Sequence, residues 1–189
     1  MTEKAALRKA VRAAFPGDEE RDRQSGLICE HLLDWQPLRD AKRVFGYLPM
    51  AREADILPVL RWVQAQGKQL ALPLCGHPPE MTFHQVEELE ALRPGIWGIP
   101  EPDPAAPRLL PRRGDVILVP CEAMDMSGNR LGKGGGYYDR FLAEGEATAI
   151  AICLKHQLVD RVPTEAGDIP LRLLCTENGI FEAESIKAP

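Results

Sequence analysis

Apolar residues recur at helical spacing early in this chain and later gather into short unbroken runs. That change of period sets the architecture. Leu7, Val11 and Ala14 lie four and then three positions apart, which predicts a helix over residues 3–14 with Thr2 as its N-cap. A second helix is predicted from about residue 18 to residue 33, with Leu27, Ile28 and Leu32 facing inward. Compact apolar runs at 43–48, 69–74, 116–119, 148–154 and 171–175 predict strands. A helix over 55–66, closed by Gly67, separates the first two strands, and another is expected to start near residue 136 and stop before Gly145. Strands that alternate with helices, without an internal repeat, predict an α/β sandwich with a largely parallel sheet, in one domain over residues 1–189.

Pro100, Pro102, Pro104, Pro107 and Pro111 fall within twelve residues. A segment so poor in backbone donors is expected to be a surface connection rather than a strand or a helix. Composition adds mainly exclusions. A length of 189 residues suits one core. A net charge of −5 argues against non-specific nucleic-acid binding as the main activity. Locally the sign reverses, because residues 130–140 carry Arg130, Lys133 and Arg140 against Asp139 alone. Cys29, Cys75, Cys121, Cys153 and Cys175 are scattered, odd in number and without a Cys-x-x-Cys pair, which argues against a disulfide framework or a zinc site. Cys121 lies near the charged segment but has no context for an activated thiolate, and His31, His77, His84 and His156 have no metal spacing. With no signal-like apolar run at the N-terminus and no span of 18 apolar residues, a cytoplasmic protein with no membrane partner is expected, as a monomer or weak homodimer.

The richest chemistry lies between Gly128 and Arg140. Gly132, Gly134, Gly135 and Gly136 fall within five residues, interleaved with Arg130, Leu131, Lys133, Tyr137, Tyr138 and Asp139. Glycines let backbone N–H groups approach phosphate oxygens, the cations add charge, and Asp139 is a candidate ligand for an accompanying metal. An ordinary glycine turn is the alternative. Lys133 is followed by Gly134 rather than Ser or Thr, so this is no Walker A loop. A dinucleotide fingerprint fails too, because Tyr137 or Asp139 occupies the position of the third glycine. The run follows the predicted strand 116–119 and precedes a helical stretch. It is therefore expected near a helix N-terminus, outside the carboxyl ends of the strands.

Four further positions have two readings each. Lys4, Arg8 and Arg12 recur every four residues, either as a solvated helix face or as a cationic row holding an anion. Glu53 is either an ordinary first-turn acid or a carboxylate in the cleft that accepts from ligand N–H groups. Trp97, among glycines and prolines, either walls a pocket for a planar ring or plugs a small core. Asp168 is either a turn residue or a second oxygen ligand to Mg²⁺ opposite Asp139.

Taken together, these residues resemble the 5-formyltetrahydrofolate cyclo-ligase family, also called methenyltetrahydrofolate synthetase. The resemblance is carried by Asp115-Val116-Ile117-Leu118-Val119-Pro120 and by Gly128-Asn129-Arg130-Leu131-Gly132 through Asp139. It extends to Lys4 and Arg8, residues 48–55, Gly98-Ile99-Pro100-Glu101-Pro102 and residues 157–168. It implies a three-layer α/β/α sandwich like that of sugar-phosphate isomerases and CoA transferases. By this resemblance Lys4, Arg8 and residues 130–138 would bind ATP, Leu48, Glu53, Trp97 and Tyr137 would line the folate site, and Asp139 and Asp168 would hold Mg²⁺. The implied activity is ATP-dependent cyclisation of 5-formyltetrahydrofolate to the 5,10-methenyl form, through phosphorylation of the formyl oxygen and attack by N10, with no covalent catalytic residue. Two departures are modest: Met124 precedes Asp125 where Phe is frequent, and Lys133 stands where Tyr or Arg is frequent. A sugar-phosphate isomerase and a non-catalytic folate-binding module are the competing readings.

Overall fold

The computed structural model describes residues 1–77, 80–95, 98–143 and 145–184. Helix α1 (Glu3–Ala13) is capped as expected, with Thr2 Oγ1 accepting the Ala5 N–H at 3.3 Å. Helix α2 (Asp18–Asp34) and a short α3 (Gln36–Asp40) lead into β1 (Arg43–Phe45). Helix α4 (Leu57–Ala65) then precedes β2 (Gln69–Cys75) and β3 (Met81–Val86). Three two-residue strands follow: β4 (Arg93–Pro94), β5 (Pro100–Glu101) and β6 (Arg108–Leu109). The chain continues through β7 (Val116–Pro120), the small pair β8 (Ala123–Met124) and β9 (Arg130–Leu131), and α5 (Tyr137–Ala143). It finishes with β10 (Thr148–Ile152), β11 (Leu173–Thr176) and β12 (Gly179–Glu182).

The main sheet has the order β12-β11-β10-β7-β1-β2-β3-β6. Its five central strands, β11 to β2, run parallel; β12 and β3 are added antiparallel on either side, and β6 pairs antiparallel with β3 at the edge. Because the central strands are covered on both faces, their side chains alternate between two cores. Val44, Leu70, Leu118 and Ile150 pack beneath α2 and α4, against Ile28, Leu32, Val59 and Leu60. Phe45, Ala71, Ile117 and Val119 face the other way, toward Phe141 of α5. There Phe83 stacks on Phe141 with ring centroids 4.3 Å apart. Each fully buried side chain of this size contributes about 1.5–3 kcal/mol, so the two cores fix the sheet position from both sides.

Helix α1 belongs to neither core. Its Val11 is buried with Ala123, Leu131 and Val162, and Leu7 packs beside them. This third cluster lays α1 across the β8–β9 pair rather than on the sheet. From β1 the chain passes to β2 on one side and later returns to β7 on the other. A crevice is expected outside the carboxyl ends of strands at such a reversal.

Several expectations need correction. Strand β1 ends at Phe45 rather than residue 48: the Gly46 N–H still donates to Ala71 O at 2.9 Å, and then the chain turns away. Ala14 is the exposed C-terminal cap of α1, outside its apolar face. Leu27 is only half-buried, whereas Gln24 and Ser25 are buried on α2, because Gln24 Oε1 accepts the Lys155 N–H and Ser25 Oγ accepts the Asp55 N–H. The proline-rich segment contributes β5 and β6, paired to β4 and β3. Short edge pairings tolerate prolines that a central strand would not.

Across β1 and β7, Arg43 and Asp115 form a two-pronged ion pair, with Nη2 to Oδ2 at 2.6 Å and Nε to Oδ1 at 3.1 Å. Asp115→Ala leaves a mostly buried guanidinium without its carboxylate, and a loss of about 3–5 kcal/mol is expected in urea unfolding. A loss below about 1 kcal/mol, typical of exposed pairs, would show that water screens the pair.

Candidate active site

A cavity of about 690 Å³ opens at the carboxyl edge of the sheet. The ends of β2 and β7 reach it, as do Tyr47 and Leu48 just beyond β1, and the glycine loop closes one side. Leu48, Leu72, Met81 and Ile99 supply apolar wall. Lys4, Arg8, Arg130 and Lys133 bring four cations, while Glu53, Glu101, Glu122, Asp139, Glu165 and Asp168 bring six carboxylates. Despite the basic run in the sequence, the lining therefore has an acidic excess.

The cations on α1 point at the loop and its surroundings rather than into solvent. Lys4 Nζ donates to Asp168 Oδ2 at 2.7 Å and to Glu165 Oε2 at 3.1 Å. Arg8 Nε donates to the Gly132 carbonyl at 2.8 Å, and Arg12 Nε to Glu122 Oε2 at 2.9 Å. Like charges four residues apart repel on an isolated helix, but here each has its own acceptor across the interface. The solvated-face reading thus fails for Lys4 and Arg8, although Arg12 keeps about half of its side-chain surface exposed. Among these cations only Arg8 has no carboxylate partner among the described residues.

The loop needs its glycines for two separate reasons. Gly134 and Gly136 have φ of +105° and +67°, a region that other residues enter only with strain. At Gly135 a Cβ would stand 2.5 Å from the Tyr137 ring, so the loop can fold under that tyrosine only without a side chain. Upstream, Asp125 organises the turn that delivers Arg130. Its Oδ1 accepts the N–H groups of Ser127 and Asn129, and its Oδ2 accepts from Asn129 Nδ2 and Val162 N–H, all within 2.9–3.0 Å.

Arg130 is almost wholly buried, reaches Asp139 Oδ2 at 3.3 Å and lies over the Tyr138 ring at 5.6 Å. Its Nε and the Tyr138 hydroxyl are buried donors with no protein partner among the described residues. Burial pushes the Tyr138 phenol far above its ordinary value, so it stays protonated. Helix α5 begins at Tyr137, directly after Gly136, as the sequence predicts, although with seven residues its dipole is slight.

Glu53 lies in the cavity wall, well before α4, so the first-turn reading does not hold. Its Oε2 accepts the Met50 N–H at 2.8 Å and its Oε1 meets Lys133 Nζ at 3.0 Å. Lys133 also approaches Glu122 at 3.6 Å. Leu48 and Tyr137 line the same cavity, whereas Trp97 lies outside the described residues. Asp168 is a turn residue, accepting the Glu165 N–H at 2.7 Å, and at the same time lines the cavity with Asp139. No three His, Cys, Asp or Glu side chains converge as a metal centre among the described residues. Sequence reasoning missed Glu122, Glu165 and Asp125. Glu122 stands just past the end of β7, at the strand reversal, and that position was the available signal.

Fold and cleft together define an α/β protein with a glycine-lined crevice at the carboxyl edge of its sheet. The chain belongs to the 5-formyltetrahydrofolate cyclo-ligase family, which its sequence matches over residues 1–177. It is 29% identical over 185 residues to the 5-formyltetrahydrofolate cyclo-ligase of Escherichia coli K12, covering 93% of this chain and 99% of that one. The cyclo-ligase of Mycolicibacterium smegmatis is 33% identical over 153 residues, covering 74% and 76%. The solved structure of Aquifex aeolicus 5,10-methenyltetrahydrofolate synthetase superposes with a TM-score of 0.85 at 31% identity, over 100% of this chain and 96% of that one.

Burial opposes the charged forms of Lys4 and Asp168, but their hydrogen bonds, with the Glu165 N–H, outweigh it: the carboxyl is held below its ordinary value and the ammonium above. The Asp168 contribution to stability is present above its unfolded-state value and lost as pH falls through the lowered folded value. Asp168→Asn should therefore be less stable than the parent near neutrality, with the gap closing in acid. Thermal melts across pH check this, and a gap that is constant down to about pH 2 would contradict it.

Proposed function

We propose that this chain catalyses the ATP-dependent cyclisation of 5-formyltetrahydrofolate to 5,10-methenyltetrahydrofolate, with release of ADP and phosphate. The observation that carries the reading is the pairing, in one cavity, of an apolar wall with a glycine loop clamped by α1. Family membership over residues 1–177 supports the same conclusion.

In this reading Lys4, Arg8, Arg130, Lys133 and the loop from Leu131 to Tyr138 hold the triphosphate. Unpaired buried donors cost about 1–3 kcal/mol each, and phosphate oxygens would satisfy Arg130 Nε and the Tyr138 hydroxyl. Leu48, Glu53 and Tyr137 line the pterin side, where Glu53 accepts from the ring's N–H edge; Trp97 keeps the folate-site role that the family resemblance implies.

A site with more carboxylates than cations would repel a triphosphate, which is why a divalent cation suits it. Asp139 and Asp168 would hold Mg²⁺, with phosphate and water completing its shell. When bound, that ion supplies neutralisation of charge on the phosphates. With Asp168 engaged in this way, Lys4 would be free to hold the phosphates.

The substrate's formyl oxygen attacks the γ-phosphorus, and the bond to ADP breaks. N10 then adds to the activated carbon and loses its proton, and inorganic phosphate departs with the former formyl oxygen. The protein contributes alignment and charge neutralisation, and no covalent nucleophile is required. Five unpaired cysteines, four of them buried, support a reducing, cytoplasmic setting.

Purified protein mixed with 5-formyltetrahydrofolate, ATP and Mg²⁺ should raise the near-ultraviolet absorbance of the methenyl product and release one phosphate per turnover. Absence of both signals with authentic substrates rules the reading out. Asp139→Asn should keep folate affinity, weaken Mg·ATP and cut turnover by about a hundredfold. An unchanged Mg²⁺ dependence in that variant removes Asp139 from the metal site.

A further inference from the structure

A second cavity, of about 290 Å³, adjoins the first and shares Met81 and Tyr137 with it. Its charged lining consists of Arg108, Arg140 and Glu80, with Thr82 and Phe141 beside them. Arg140 is three residues beyond Tyr137 on α5, so the two side chains share a helix face. Arg108 lies on β6 opposite His84 of β3. The chain just before that strand is tied down by the His84 ring, whose Nδ1 donates to Ala106 O at 2.8 Å while its Nε2 accepts from the Thr82 hydroxyl at 3.0 Å. Neither arginine makes an ion pair or a side-chain hydrogen bond among the described residues, although both are exposed.

We propose that this cavity binds the carboxylates of the substrate's glutamate tail, through Arg108 and Arg140. The proposal rests on the reading of function given above. A folate carries its planar ring at one end and an amino acid with two carboxylates at the other. The main cavity is a poor place for that anionic end, because its acidic residues outnumber its cations and those cations are assigned to the triphosphate in that reading. With the ring against Leu48 and Tyr137, the tail leaves past the residues common to both cavities and meets two unpaired arginines. Guanidinium groups match carboxylates in a bidentate geometry, and extra γ-linked glutamates add further anions within their reach. Glu80 sets the limit of this preference, since its carboxylate opposes the tail in the same space.

The test compares kcat/KM for three substrates: 5-formyltetrahydropteroate, which lacks glutamate, and the mono- and triglutamate forms of 5-formyltetrahydrofolate. In Arg108→Ala and Arg140→Ala the ratio of triglutamate to pteroate kcat/KM should fall about fivefold each, through KM rather than kcat, as expected for partly exposed ion pairs. In Glu80→Gln the same ratio should rise, and added salt should depress it in the parent protein. Equal losses on all three substrates, or an unchanged ratio in both arginine variants, overturn the proposal. A parent protein active on all three with a ratio near one overturns the tail site alone. A parent protein inactive on all three means that the parent reading has failed, and the tail site falls with it.

Discussion

The docking of α1 across the β8–β9 pair is the contact on which the site depends. Three cations, one turn apart, meet three different acceptors: the Asp168 turn, the Gly132 carbonyl and Glu122. Beneath them Val11 is buried against Ala123, Leu131 and Val162. The apolar contact fixes the helix axis, and the polar contacts fix its register, because a shift by one residue would carry all three cations off their partners. Segments distant in sequence are thereby held against one loop whose packing on the main cores comes at its far end, where Tyr138 meets Phe83.

This arrangement stores charge in a balanced form. Lys4 neutralises Asp168, Arg130 lies by Asp139, and Lys133 sits between Glu53 and Glu122. Such pairs keep a concave, partly buried site from repelling itself before ligands arrive. In the proposed function, an accompanying cation would take the acids of this carboxylate-rich cleft and free the basic side chains for phosphate. Arg8, which among the described residues meets a carbonyl and no carboxylate, would need no such exchange.

Much of the fold was legible because its signals are local. The Thr2 cap, the spacing of Leu7 and Val11 on α1 and the unbroken apolar runs of β7 and β10 each declare themselves within a few residues. What escaped depends on pairing. Strands β3 and β12 are antiparallel additions whose residues reveal nothing until a neighbour is known, and the two residues of β6 are placed by pairing with β3. At the site, the glycine loop could be read directly, since only special backbone geometry demands such a sequence. The partners of its cations could not. Glu122, Glu165 and Asp168 are 110 residues or more from the α1 side chains they bind, and only the closed fold brings them together.

Amide hydrogen exchange resolved along the chain tests most directly whether the clamped glycine loop is the phosphate cradle. On addition of Mg²⁺ and a non-hydrolysable ATP analogue, the amides of residues 132–138 should slow, while those of the edge strand β12 stay unchanged. Saturable binding of the nucleotide with no added protection anywhere in residues 132–138 would contradict the account.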